Sequence, residues 1–359
     1  MVDIEKLLAQ QIETDCSDLH LITDEPPFFR LRNGKIKPLK NAKPLPKEEI
    51  ERIAVEIIGR SGLQKLRKEK EIDFAIERPG LSRFRVTFFE EARGPVIAFR
   101  AIPLEIPKPE EIGIPETVLE RVMRNEGLIL ITGTNGAGKS TTLASLLNFI
   151  NENREVRIVT IEDPIEFTFS RKKAVISQRA VGIDTNSFAE AVKYTVRQDT
   201  NVIVVGEMRD LETIQTAITL AETGHLVLAT LHTDDAPRAI QRIVDVFPAA
   251  QQKQIALQLS HSISAIISQR LIPKKDDSGR VCVREIMFLN SGIAHAIREM
   301  NISEIYSQMQ INGGSGMRLF DDHLIEFVKQ DEINPEEAIH AAHDPQQMLE
   351  SLRNIRNIR

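Results

Sequence analysis

The part of this chain that most restricts its fold is a run of nine residues, 133–141, reading Gly-Thr-Asn-Gly-Ala-Gly-Lys-Ser-Thr. The run fits the pattern G-x-x-x-x-G-K-[ST] in full. The apolar residues Gly127–Thr132 precede it, and residues 142–148 continue it with a helical pattern. A strand, a glycine-rich loop and a helix in this order surround a phosphate with backbone amides. We therefore predict an α/β domain that binds a nucleoside triphosphate.

Each residue of this loop is a candidate for binding the nucleotide. The candidates are Gly133, Thr134, Asn135, Gly136, Ala137, Gly138, Lys139, Ser140 and Thr141. The ammonium group of Lys139 would neutralise the β- and γ-phosphates, and the hydroxyl of Ser140 would bind Mg²⁺. The alternative is an ordinary glycine-rich turn, which does not require the complete motif between a strand and a helix.

Two further candidates follow other apolar strands of the same region. Residues 202–205, Val-Ile-Val-Val, are followed by Glu207. Its carboxylate would hold Mg²⁺ directly or through water, or would merely cap the next helix. His232 follows the apolar run Leu226–Leu231, and His225 precedes it. At the carboxyl end of that strand His232 could sense the γ-phosphate, although a lone histidine is more often structural.

Three acidic residues, Glu162, Asp163 and Glu166, follow the apolar strand at 157–161. Carboxylates at the carboxyl edge of an open parallel sheet face the ligand crevice. Hydrolysis needs a residue that orients the attacking water, and Glu166 is our candidate. The spacing alone also admits Glu162 or Asp163, and three solvated loop acids are the remaining interpretation.

The pattern of apolar residues divides the chain into two domains. Residues 1–102 contain short alternating strands and helical patterns, which are typical of a small α+β domain. Residues 103–115 contain four prolines and are interpreted as a linker. In residues 116–359, apolar strands without alternation lie between helical segments, which predicts a doubly wound, buried parallel sheet. Beyond Pro248 we predict mainly helix.

The composition excludes several classes of protein. The only cysteines are Cys16 and Cys282, which excludes a disulfide framework or a four-cysteine zinc site and fits a reducing cytoplasm. The net charge of −6, with no tryptophan and two tyrosines, argues against a nucleic-acid partner. No apolar run approaches the roughly 20 residues of a membrane-spanning helix, so membrane association would require a partner.

Five motifs in order resemble those of the secretion ATPase superfamily, and within it most resemble the type IV pilus retraction ATPases, the PilT/PilU group. They are the loop 133–141, Ile-Glu-Asp-Pro-Ile-Glu-Phe at 161–167, Gly-Glu-Met-Arg-Asp-Leu-Glu-Thr at 206–213, Ala-Glu-Thr-Gly-His at 221–225 and Thr-Leu-His-Thr at 230–233. The resemblance implies a RecA-like P-loop ATPase domain preceded by a small PAS-like α+β domain, with ATP and Mg²⁺ as cofactors.

The resemblance also implies roles for particular residues. Glu166 matches the catalytic glutamate of the family, Glu207 the metal-binding glutamate and His232 the conserved histidine, with His225 nearby. Arg85 and Arg100 of the first domain match arginines that act on the phosphates. Charge on the transferring phosphoryl group is stabilised by such arginines, and Arg83 could substitute for either.

The resemblance further implies a homohexameric ring at the cytoplasmic face of the bacterial inner membrane. There it would act on a pilus platform protein and drive pilin subunits out of the pilus, and a paralogous ATPase could work beside it. In such rings the nucleotide lies between the two domains.

One motif departs from the family pattern. Residues 292–299 read Gly-Ile-Ala-His-Ala-Ile-Arg-Glu, where the retraction ATPases usually have Ala-Ile-Arg-Asn-Leu-Ile-Arg-Glu. In the family this segment is tied to pilus retraction, so the change concerns the pilus role and not the ATPase. The pattern after Gly-Ile-Asp-Thr at 182–185 and the C-terminal helix favour the accessory PilU branch. The alternatives are a pilus assembly or secretion ATPase, a regulatory nucleotide-binding module that hydrolyses ATP weakly, and a nucleic-acid translocase.

Overall fold

The computed structural model describes residues 2–31 and 33–357. Arg32, part of a hairpin turn that the sequence Arg-Asn-Gly-Lys predicts, lies outside the described residues, as do the last two residues of the basic C-terminal end. The chain forms two compact units. The first comprises Met1–Glu105 and Pro164–Thr168, and the second comprises Ile106–Asp163 and Phe169–Arg359. The segment Pro164–Thr168 therefore belongs with the first unit, whereas the sequence division placed it in the second domain.

The first unit is a six-stranded antiparallel sheet with two helices. Its elements are α1 (Ile4–Glu13), β1 (Cys16–Ile22), β2 (Phe28–Leu31), β3 (Ile36–Pro38), α2 (Lys47–Glu69), β4 (Glu71–Arg78), β5 (Ser82–Glu91) and β6 (Gly94–Ile102). The strand order is β3-β2-β1-β6-β5-β4.

Alternation along β5 shows how this sheet is built. Phe84, Val86 and Phe88 are fully buried and pack in a core with residues of α1 and α2. Side chains at alternate positions of a strand lie on the opposite face, so Arg85 is on the other, partly exposed face. Arg100 of β6 is its cross-strand partner, which places both arginines on that face.

The second unit is built on a seven-stranded sheet. Its strands are β7 (Gly127–Thr132), β8 (Arg157–Glu162), β9 (Val175–Ala180), β10 (Val202–Val205), β11 (Leu226–Leu231), β12 (Ile263–Pro273) and β13 (Arg280–Phe288). The order is β13-β12-β7-β11-β10-β8-β9, and only β13 runs antiparallel to its neighbour.

Eleven helices of the described chain surround or extend this sheet. They are α3 (Glu116–Val122), α4 (Lys139–Asn153), α5 (Phe188–Thr195), α6 (Leu211–Glu222), α7 (Ala236–Asp245), α8 (Ala249–Ser262), α9 (Ser291–Arg298), α10 (Ile302–Ile311), α11 (Phe320–Lys329), α12 (Pro335–Ala341) and α13 (Pro345–Asn357). The predicted α/β fold is confirmed, since β7, β10, β11 and β8 are buried parallel strands with helices between them.

The part beyond Pro248 is mainly helical, as predicted, but it also contains β12 and β13, which the sequence did not reveal. The first seven residues of β12 are all buried, so polar and apolar residues do not alternate along it. A short run buried on both faces cannot be distinguished from a buried helix by periodicity. The two added strands matter for function, because β12 lies directly beside β7.

Candidate nucleotide-binding site

The phosphate loop begins where β7 ends and closes where α4 begins. Gly133 has φ +146 and Gly138, the N-cap of α4, has φ +85. Both values lie in a region that L-residues with a side chain rarely adopt. At Gly133 a Cβ atom would also lie 2.3 Å from the backbone oxygen of Gln269. The two glycines are therefore required for the backbone course of the loop.

The register of the sheet brings other residues to the same edge. Thr132, the last residue of β7, pairs with Leu231 of β11 on one side and with Ser268 of β12 on the other. The residues that follow these three positions therefore lie side by side across the sheet. They are Gly133, His232 and Gln269. Loop residues 134–136 and Ser140 are exposed, so the amide-lined side of the loop is accessible to a ligand.

Lys139 lies over the loop and contacts His232. Its ammonium donates to the backbone oxygens of Gly133 at 2.7 Å and Thr134 at 3.1 Å. The same nitrogen is 3.4 Å from Nδ1 of His232. Because an ammonium can only donate, Nδ1 is the acceptor in this contact.

Glu207 completes this chain of contacts. Nε2 of His232 lies 3.1 Å from Oε1 of Glu207, so the ring donates to the carboxylate. The backbone of Glu207 is fixed on both sides, since Gly206 donates to the oxygen of Ile161 and Met208 to that of Thr230. The structure thus joins three residues that the sequence assigned separately: Lys139, His232 and Glu207.

Glu207 is held in its charged form. Burial, the largest influence, would raise its pKa, but the hydrogen bond from Arg209 and the further electrostatic interactions with His232 and Arg209 outweigh burial and lower the pKa. Nη2 of Arg209 lies 2.8 Å from Oε2. A charged carboxylate at this position suits an interaction with a cation.

These residues fit Mg²⁺ bound with a nucleotide. Mg²⁺ usually keeps several waters and takes one or two protein ligands besides phosphate oxygens. The exposed hydroxyl of Ser140 is suited to direct binding, and Glu207, whose oxygens already accept from Arg209 and His232, to binding through water. Within the described residues, no group of three or more His, Cys, Asp and Glu side chains could hold a metal ion by itself.

Glu166 and Arg85 are in contact within the first unit. Nη1 of Arg85 donates to Oε1 of Glu166 at 3.1 Å, and Nε donates to Oδ2 of Asp73 at 3.0 Å. Nη2 of Arg83 donates to the backbone oxygen of Ile165 at 3.1 Å. Two arginines of β5 thus hold the segment that carries Glu166.

Arg100 has a different partner. Its Nε donates to Oδ1 of Asp18 at 2.8 Å. Asp18 is 4% exposed and also accepts from the hydroxyl of Ser17 at 2.8 Å. A nearly buried carboxylate therefore fixes the direction of the Arg100 guanidinium.

Three candidates remain, which are His225, Glu162 and Asp163. His225 lies at the amino end of β11, opposite His232, as the sequence predicts, and its Nδ1 contacts the backbone oxygen of Leu220 at 3.2 Å. A six-residue strand separates them by about 20 Å. Oε1 of Glu162 accepts from Thr160 and from Gln178, whereas no such contact identifies a role for Asp163.

Sequence reasoning missed Gln269, which contacts the phosphate loop. Its carboxamide donates a hydrogen bond to the backbone oxygen of Ala137 and accepts one from the hydroxyl of Thr142. The only available signal was the residue's place after the apolar residues at the start of β12, which lie in the part of the chain predicted to be mainly helix.

The fold and this site define a P-loop ATPase. A model of the family described as type II/IV secretion system protein matches residues 2–338, and the chain belongs to this family. Among the helices of residues 2–31 and 33–357, none combines the length and apolar character needed to cross a bilayer.

Three comparisons are more particular. The type IV pilus retraction ATPase PilT of Pseudomonas aeruginosa is 42% identical over 96% of this chain and 99% of its own. PilU of the same organism is 36% identical over 94% and 88%. The crystal structure of the pilus retraction motor PilT with bound ADP has a TM-score of 0.85 at 42% identity, covering 97% and 99%. The higher identity to PilT does not favour the accessory branch.

Proposed function

We propose that this protein is an ATP-hydrolysing motor that powers retraction of type IV pili. The observation that carries the proposal is the chain of contacts Lys139–His232–Glu207 at the end of the phosphate loop. These contacts join three of the groups that turnover requires. The chain is similar over almost its whole length to a retraction ATPase.

Each group has a proposed part in turnover. The loop amides and Lys139 bind the phosphates of ATP. Ser140, and Glu207 through water, would hold Mg²⁺, which would supply positive charge beside those phosphates. Glu166 polarises the attacking water, and Arg85 and Arg100 stabilise the transferring phosphoryl group. His232, which bonds both Lys139 and Glu207, responds to loss of the γ-phosphate because each partner changes its own contacts when phosphate leaves.

We further propose that the chain acts as a homohexamer at the cytoplasmic face of the inner membrane. The described chain has no helix suited to crossing a bilayer, so a membrane-embedded platform protein would transmit the motion to the pilus. A paralogous retraction ATPase is a possible second partner, and nucleic acid is not.

The catalytic proposal is tested by substitution of Glu166. We expect Glu166→Gln to retain ATP binding and to lose hydrolysis, because an amide polarises water far less than a carboxylate. The matched control is Glu155→Gln, since Glu155 is exposed and outside the site. Phosphate release by the purified protein measures the effect, and unchanged turnover of Glu166→Gln would remove Glu166 from catalysis.

The cellular proposal is tested by deletion of the gene and counting of surface pili. Excess pili without twitching motility would support retraction, and complementation by Lys139→Ala should fail. Cells without pili would instead support an assembly ATPase. Normal piliation together with very slow hydrolysis by the purified protein would favour a regulatory nucleotide-binding module.

A further inference from the structure

Gln269 of β12 is fully enclosed and makes two side-chain hydrogen bonds to the phosphate-binding segment. It is 3% exposed. Its Nε2 donates to the backbone oxygen of Ala137 at 2.6 Å, and its Oε1 accepts from the hydroxyl of Thr142 at 2.8 Å. One carboxamide thus joins the end of the loop to the first turn of α4.

The bond to Ala137 has a consequence for the next amide of the loop. The carbonyl of Ala137 and the N–H of Gly138 belong to one peptide group, which is planar and has these bonds pointing in opposite directions. Holding the carbonyl against Gln269 directs the Gly138 N–H away from β12. The amides of such a loop bind phosphate only when they point together into its interior.

The backbone of Gln269 restrains the other end of the loop. Its carbonyl oxygen lies so close to Gly133 that a Cβ there would be 2.3 Å away. Beside it, the hydroxyls of Ser268 and Thr132 are hydrogen-bonded at 2.7 Å. Strand β12 therefore supports both the beginning and the end of the loop.

We infer that Gln269 is a positioning residue for nucleotide binding, which directs the Gly138 amide toward the phosphate of the bound nucleotide. It does not itself contact the ligand. The inference rests on nucleotide binding by the loop, the first part of the proposed function, and is independent of pilus retraction.

The test compares Gln269→Leu with Gln252→Leu in the full chain. Gln252 donates to the backbone oxygen of Phe247 at 3.1 Å, so the control removes a similar bond away from the loop. We expect Gln269→Leu to weaken binding of a fluorescent ADP analogue by about 10-fold, the effect of about 1.4 kcal/mol, and to raise the KM for ATP more than it lowers kcat. The control should leave the ADP Kd unchanged.

Two more variants test the two side-chain hydrogen bonds of Gln269 separately. Gln269→Glu keeps an acceptor for Thr142 but opposes a carboxylate oxygen to the Ala137 carbonyl, and it also serves if Gln269→Leu fails to fold. Thr142→Val removes only the other bond. We expect Gln269→Glu to weaken ADP binding as much as Gln269→Leu and Thr142→Val to weaken it less.

An unchanged ADP Kd in both Gln269 variants, with a lower melting temperature, would overturn the inference and leave Gln269 a purely structural residue. Equal losses in Thr142→Val and Gln269→Glu would overturn the role of the Ala137 bond. Failure of the unmodified chain to bind ADP would overturn the proposed function as well, so the two failures are distinguishable.

Discussion

Two glutamates of the second unit are shielded from solvent and have opposite protonation. Glu207 follows β10 at the edge that carries the phosphate loop, and its side chain is 19% exposed. Glu285 lies in β13 and is 1% exposed. The pKa of Glu207 is lowered, whereas that of Glu285 is raised to about 8.

The difference comes from the partners as well as from the deeper burial of Glu285. Burial is the largest influence on both carboxyls, and at Glu285 the backbone N–H of Ala236, 2.7 Å away, only partly opposes it. The negative charges of Asp235 and Asp321 raise the pKa of Glu285 further. Glu207 instead has Arg209 and His232. At Glu207 the partners therefore outweigh partial burial, whereas at Glu285 deeper burial and the neighbouring carboxylates raise the pKa together.

The largest expected effect is on the rate of ATP hydrolysis, when each of the two glutamates is replaced in turn by glutamine. Glu207→Gln should slow ATP hydrolysis by about 100-fold, as loss of a group that supports a bound metal does, and raise the Mg²⁺ concentration needed for half-maximal rate. Glu285→Gln should change kcat little at pH 7, because Glu285 already carries a proton there. Steady-state rates over a Mg²⁺ titration measure both, and equal losses would contradict the comparison.

The second prediction concerns the pH dependence of stability. Between its ordinary pKa of 4.5 and about 8, Glu285 holds a proton in the folded chain that the unfolded chain has released. The free energy of unfolding therefore falls as pH rises through this window and is level above it. From about pH 6 to 8 the loss is about 2 kcal/mol.

Denaturant unfolding of wild type and Glu285→Gln at several pH values tests this slope. Because glutamine does not titrate, the variant should lack this contribution and gain stability relative to wild type as pH rises. Parallel curves for the two proteins would show that Glu285 does not hold the proton.

The sequence identified Glu207 as a candidate site residue and did not identify Glu285, and the reason is physical. Glu207 follows an apolar strand in a recognisable motif, and its position depends mainly on local spacing. The environment of Glu285 depends on Ala236, 49 residues away, and on assigning β13 as a strand. Its pKa could not be predicted without those contacts.

The same difference between local and long-range contacts determines how much of the phosphate site could be predicted from the sequence. Gly133 to Thr141 were predicted from the motif, because the loop is a local structure. The contact of Lys139 with His232 spans 93 residues, and that of Thr142 with Gln269 spans 127. Both depend on strand order and register, which the pattern of residues does not determine.

The third prediction tests what holds Glu207 charged. His232→Asn should lower kcat by about 10-fold, since His232 positions the carboxylate. Loss of the histidine contact also raises the pKa of Glu207, so the acidic limb of the pH-rate profile should move to higher pH. His261→Asn, at an exposed position of α8, is the control. A lower rate with an unmoved acidic limb would mean that Arg209 alone keeps Glu207 charged.

The smallest expected effect is at Tyr306, next to the Glu285 cluster. Burial raises the pKa of its hydroxyl, as do its interactions with Asp235 and Glu285. Tyr306→Phe should lower the free energy of unfolding by about 1 kcal/mol, the size of one ordinary polar interaction, and leave ATP hydrolysis unchanged. Without the hydroxyl, the charge of Asp235 acts more strongly on Glu285, so stability should fall more steeply toward pH 8. Tyr194→Phe, at a position 47% exposed, is the matched control, and identical pH curves for the two variants would separate Tyr306 from the protonation of Glu285.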